Sequence, residues 1–136
     1  MLKLKIFFAC LTVLFFLFSM VVCVEVYTME RAFARGVFTD LLDEMQDKGY
    51  LDDQLALYYA TKMTELGWQQ VEQDFYRGTW PREEVQRAKK ELHQSVFLSL
   101  HVRPSRVSQW FHLFLSGETV FRLTGSRPSE YFDPGW

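Results

Sequence analysis

Cysteine is nearly absent from this chain: two residues in 136, Cys10 and Cys23, both inside one apolar run. They lie too far apart along a helix to bond to each other. No disulfide framework therefore holds the fold, and cysteine usage does not report the redox compartment. Histidine is almost as scarce. His93, His101 and His112 form no i, i+4 pair and have no cysteine partner, so no zinc motif is present; all three read as surface or interface residues. No serine stands in a G-x-S-x-G frame, and no glycine-rich loop precedes a helix to cradle a phosphate. Glu83 and Glu84 are neighbours, and adjacent side chains on a helix point about 100° apart, which makes a poor acid/base pair. A catalytic reading has nothing to stand on: the expectation is a non-enzyme without cofactor or metal.

A charge excess is also lacking. With 17 acids, 15 bases and a net charge of -2, there is no acidic or basic tail to bind nucleic acid or an acidic substrate in bulk. The basic residues Arg82, Arg87, Lys89 and Lys90 are interleaved with Glu83, Glu84 and Glu91, the pattern of a solvated face. Trp68, Trp80, Trp110 and Trp136 are scattered, whereas a stacking platform for bases wants its aromatics on one strand face. They read as core or rim residues, with Trp136 a candidate docking group at the chain end. No nucleic-acid partner is expected.

What is present in quantity is apolar sequence. "IFFACLTVLFFLFSMVVCV", Ile6 to Val24, is 19 residues long and carries no charge. A spanning helix needs about 20 such residues and a secretory leader about 7 to 15, so the run has the length of an anchor. Its exit, "SMVVCVEV", offers no small-residue cleavage site, and Val21 and Val22 spoil a lipoprotein reading of Cys23. Lys3, Lys5 and the amino terminus precede the run, while Glu25, Glu30, Arg31 and Arg35 roughly cancel after it. The positive-inside rule then assigns residues 1–5 to the cytoplasm, 6–24 to the membrane and 25–136 to the far side. Membrane lipid is the first partner implied.

Past the run, Val26, Met29, Phe33, Val37, Leu41 and Met45 recur at three and four residues, the spacing of a helical face. These six are the candidate helix-packing and assembly residues. Lys48-Gly49 is a plausible end, a base followed by a residue that tolerates a left-handed cap. The spacing thus predicts one helix of roughly 40 residues, on the order of 60 Å long, lipid-embedded in its first half and an amphipathic stalk over 25–48. A second helix is expected over 52–66, capped by Asp52 or Asp53 and closed by Gly67. Strands with short helices fill 69–125. "QQVEQDFYRG" alternates weakly, Pro81 to Gln94 reads as a short helix or a mobile loop, and "SVFLSLHVR" alternates cleanly, with Val96, Leu98, Leu100 and Val102 on one face. Ser105 opens a short helix carrying Val107, Trp110, Phe111 and Phe114, and "TVFRLT" is a last strand. Residues 126–136 are expected to be irregular. The layout is α+β: a long N-terminal helix laid on a small antiparallel sheet.

The whole chain resembles bacterial pilin-like proteins, in particular tight-adherence-type minor pilins and pseudopilins and related small conjugation or secretion accessory subunits. The pieces that carry the resemblance are the basic start "MLKLK", the apolar helix flowing into "EVYTMERAFARGVFTDLLDEMQDKGYLDDQ", the "ELGW" closing the second helix, "HQSVFLSLHV", and the ending "TVFRLTGSRPSEYF". The resemblance implies a subunit of a filament or secretion machine, held in the membrane before assembly. Other subunits of that kind, or copies of itself, are the partners implied. A classical prepilin has a Gly just before the apolar helix and a Glu at its fifth position; "LKLKIFFAC" has neither, which points to a minor or accessory subunit. Two readings from other classes stand beside it: a membrane-anchored regulatory or protein-binding module, and a secreted domain released by cleavage near Val24.

Overall fold

The computed structural model describes residues 1–132; the docking role considered for Trp136 lies outside them. Helix α1 runs unbroken over Leu2–Lys48, 47 residues, or about 70 Å at 1.5 Å per residue. Gly36 does not interrupt it. The helix ends at Gly49, which takes a left-handed φ of 81° and donates its N–H to the Met45 carbonyl at 2.6 Å. Only glycine suits this place, because a Cβ here would also collide with the Ala88 carbonyl oxygen. Helix α2 covers Asp53–Glu65, with the Asp52 side chain accepting from the Gln54 N–H. It closes with two back-bonds, Gly67 N–H to Thr64 and Trp68 N–H to Met63, the Schellman pattern.

The sheet has three antiparallel strands in the order β1-β2-β3: β1 at Gln69–Gln70, β2 at Ser95–Arg103 and β3 at Phe121–Pro128. Val96, Leu98, Leu100 and Val102 are all fully buried, as the alternation predicts. Phe97 and His101 point the other way, half-exposed. Helix α3, Arg106–Ser116, connects β2 to β3.

Two segments differ from their sequence reading, and the stretch from Pro81 to Gln94, read as a short helix or a loop, is mostly loop. Beyond Gln70 the chain leaves the sheet, because Glu72 and Gln73 adopt positive φ values of 54° and 66°; Phe75 then turns into the core, 1% exposed. The stretch from Pro81 to Gln94 contains only a 3-10 turn at Glu84–Gln86. Of its apolar residues Val85, Ala88 and Leu92, only Ala88 is buried. The last strand does not stop at Thr124 but continues through "GSRP". Leu98 pairs with Gly125 and Ser95 with Pro128. A Cβ on Gly125 would sit 2.9 Å from Phe38 Cζ, so the missing side chain is what admits the stalk to the sheet. Pro128 is tolerated because β3 is an edge strand.

Helix α1 supplies the other layer. It packs on β2, β3 and α3 through Tyr27, Ala34, Val37, Leu41, Leu42 and Met45, all buried. The expected stripe overlaps this one only at its far end. Val37, Leu41 and Met45 are buried, Val26 is partly covered, and Met29 and Phe33 are 72% and 41% exposed. The cause is geometric. A strict four-residue step turns about 400°, so each step drifts about 40° around the helix. By that drift Met29 and Met45, four steps apart, lie on nearly opposite sides. Phe33 instead sets its ring edge-on to Trp68 at 5.6 Å.

Candidate functional site

Residues 2–19 of α1 are exposed throughout. Its most apolar 18-residue window has a mean hydropathy of 2.8 and none of it is buried; Phe7, Phe8, Leu14, Phe15, Phe16 and Phe18 all stand exposed. By length and composition this is a helix compatible with a single-pass membrane anchor, and a secretory leader shares those two properties.

Where the helix leaves the apolar run, a polar and aromatic joint fastens it to the domain. Tyr27 is buried, its hydroxyl 3.0 Å from His112 Nδ1. The Tyr27 ring lies 6.0 Å from Phe111 and 5.9 Å from Phe121. Three residues further along α1, Glu30 accepts a hydrogen bond at 3.2 Å from the backbone N–H of Ser105. This carboxylate stands at the start of α3, where the unpaired N–H groups favour negative charge. Ser105 does occupy the cap position, but its own hydroxyl makes no capping bond and is buried without a partner. Sequence reading assigned Tyr27 and Glu30 no role: an apolar search passes over both.

The same joint borders a half-open cavity of about 210 Å³ lined by Arg31, Ala34, His112, Ser116, Glu118, Phe121, Arg122 and Leu123. Burial, and then the Arg31 guanidinium, hold the His112 imidazole below its ordinary value of 6.5, so it stays neutral and can hydrogen-bond Tyr27 in either direction.

On the far face of the sheet, Ser99 Oγ lies 2.8 Å from His101 Nε2; the alternation of the strand already put both on one face, but a serine and a histidine two apart form no motif that singles the pair out. Its chemistry is closed. Ser99 is 4% exposed, tied through its backbone to Thr79 Oγ1 at 3.1 Å and roofed by Gly78. Burial, with Arg122 and Arg77 nearby, lowers the His101 pKa. Thr79 Oγ1, bonded to both the N–H and the carbonyl of Ser99, ties the turn to the sheet, and the Ser99 hydroxyl is buried beneath it.

The basic cluster is likewise structural in part. Arg82 pairs with Asp74 at 2.8 Å. Arg87 is not a solvated charge: its guanidinium lies over the rings of Tyr50 at 4.9 Å and Tyr131 at 4.2 Å, with Glu84 3.0 Å away. Among the described residues no group of three or more His, Cys, Asp or Glu side chains is placed to hold a metal ion.

Along the stalk, the face opposite the packed stripe is open. Met29, Ala32 and Gly36 all lie on it, exposed, and a Cβ built on Gly36 meets no atom within 4 Å. The assembly candidates of the sequence thus divide: Val37, Leu41 and Met45 hold the domain together, Val26 stands between, Phe33 leans half-exposed on Trp68, and Met29 faces outward. Comparison of the chain with protein-family models, curated proteins and solved structures found no match.

Proposed function

We propose that this chain is a structural subunit of a pilus-like or secretion apparatus. In this reading residues 6–24 anchor it in the membrane, with its start in the cytoplasm and its α+β domain outside, and it assembles by side-to-side packing with other such subunits, copies of itself included. The observation that supports the reading is the open face of α1. One uninterrupted helix runs from the apolar span into a stalk whose far side, past the exposed Glu25, presents Met29, Ala32 and Gly36, which the domain leaves uncovered. Small residues in a row let a second helix approach closely, and Gly36 has no packing role inside its own domain.

Cysteine crosslinking in membranes tests this. Cys10 is exposed on the apolar helix, so a Cys23→Ser chain, with one thiol per copy, should give homodimers through Cys10. Gly36→Leu, which fills the open face without touching the core, should suppress the homodimer. Products with unrelated proteins only would favour the membrane-anchored binding module. Mass measurement of the mature chain separates both from a secreted domain cut near Val24.

A further inference from the structure

Helix α3 has two apolar faces, and the domain uses only one. Ser108 is buried, and Phe111 and His112 turn inward to Tyr27 of α1. The outer face carries Trp110 at 57% exposure, Leu113 at 49%, Phe114 at 80% and Val107 at 38%. Trp110 and Phe114 stack on one another there, ring centres 6.4 Å apart. Spaced at three, four and seven residues, these side chains form a continuous apolar strip on the surface of a soluble-sized domain.

The height of α3 on the stalk says what can cover that strip. Tyr27, to which α3 is bonded, lies three residues past Val24, about 4.5 Å along the axis. Cover reaches lower still. Cys10 and Cys23 are the same side chain on the same helix, yet Cys10 is exposed and Cys23 is partly covered; Met20, one turn below on the same face, is partly covered too. The exposure of α1 therefore falls already within the last turns of the apolar run, and α3 joins the stalk at Tyr27, one turn above Cys23. Exposed charges of both signs, Arg31, Arg35 and Arg106 with Glu25 and Glu118, ring the joint, as at a polar boundary between domain and headgroups.

We infer that α3 is an interfacial helix whose Trp110–Phe114 strip lies in the headgroup zone of the same bilayer that α1 crosses. Tryptophan and other apolar aromatics sit favourably at that depth, and an amphipathic helix beside a membrane span buries its free face there without any partner protein. The domain is then held to the membrane at two points, the span and α3, which fixes its rotation about the stalk. The inference rests on the anchoring of residues 6–24 and goes beyond it.

The test uses the full chain reconstituted at low density in vesicles of phosphatidylcholine and phosphatidylglycerol, with lipids brominated either just below the headgroup or deep in the acyl chain. The fluorescence lost on changing Trp110→Phe gives the Trp110 signal by difference; adding Phe15→Trp to the wild-type chain gives the signal of the span. Trp110 emission should be blue-shifted and quenched about twofold or more by the shallow bromines, as a residue of the aromatic belt would be, and Phe15→Trp emission by the deep ones. If the span signal is quenched and the Trp110 signal is not, the docking of α3 is wrong while the anchor stands. If neither is quenched, the anchor itself has failed. A blue-shifted but unquenched Trp110 means that protein covers the strip, which also overturns the proposal. A nitroxide at Phe114→Cys, in a chain with Cys10→Ser and Cys23→Ser, gives a second reading: access to dissolved oxygen above access to a water-soluble nickel chelate is expected, and the reverse order refutes it.

Discussion

Shortening Leu41 to alanine is the sharpest test of which face of α1 holds the domain. The Leu41 side chain is 0% exposed and belongs to the main hydrophobic cluster. Leu41→Ala deletes three carbons, a transfer loss of about 2.4 kcal/mol at roughly 0.8 per methylene. The cavity left behind adds to this, for a total of about 3–4 kcal/mol within the range known for such changes. Met29 belongs to the same four-residue series but is 72% exposed, so Met29→Ala should stay within about 0.5 kcal/mol of the parent. The readout should avoid far-ultraviolet ellipticity, which the apolar half of α1 dominates in micelles. Trp68, buried and edge-on to Phe33, reports the tertiary fold in its fluorescence. For a domain of this size the loss in Leu41→Ala corresponds to a melting temperature lower by about 10–20 °C. If Met29→Ala lowers it as much as Leu41→Ala, or if neither moves it, the assignment of faces is wrong.

Gly49→Ala must force a left-handed φ of 81° on a residue with a Cβ and drive that carbon into the Ala88 carbonyl; a loss of at least about 2 kcal/mol in a denaturant melt is expected. Arg87→Ala removes a cation from over two tyrosine rings and should cost about 1–2 kcal/mol; no change in the urea midpoint would return Arg87 to the solvated face that its neighbours suggest. Acid should loosen the domain through His101 and His112. Both pKa values lie below 6.5 in the folded chain, chiefly through burial, so the unfolded chain binds more protons in that window. Stability is therefore whole above pH 6.5 and declines as the pH falls toward the folded values. A melting temperature that rises on acidification from pH 7 would contradict this, and replacing both histidines with glutamine should flatten the slope.

Strand β2 was legible residue by residue because a two-residue period does not drift: once Val96 faces inward, Leu98, Leu100 and Val102 must follow. The stalk was legible as a helix but not in its facing. A four-residue row departs steadily from the 3.6-residue turn, and the residues that fill the stripe at its membrane end, Tyr27 and Ala34, score poorly on an apolar scale. The extension of β3 was hidden by composition. "GSRP" reads as a turn, and only the approach of Phe38 to Gly125 shows why a glycine belongs in that strand. The joint at Tyr27, Glu30 and His112 was invisible for a different reason: its contacts link residues 75 and 85 positions apart, and polar pairs that distant leave no periodic trace. Arg87 shows the same limit, since Tyr50 and Tyr131 flank it from opposite ends of the chain.

A helix with no hinge between its apolar and folded halves behaves as a lever. In a bilayer, a tilt of about 20° is ordinary and grows when the hydrocarbon layer is thinner than the apolar run. Over the 24 residues from Val24 to Lys48, roughly 36 Å of rod, that tilt swings the tip sideways by about 12 Å. With residues 6–24 anchored as proposed, membrane thickness becomes a steering variable for whatever the far end of this molecule touches.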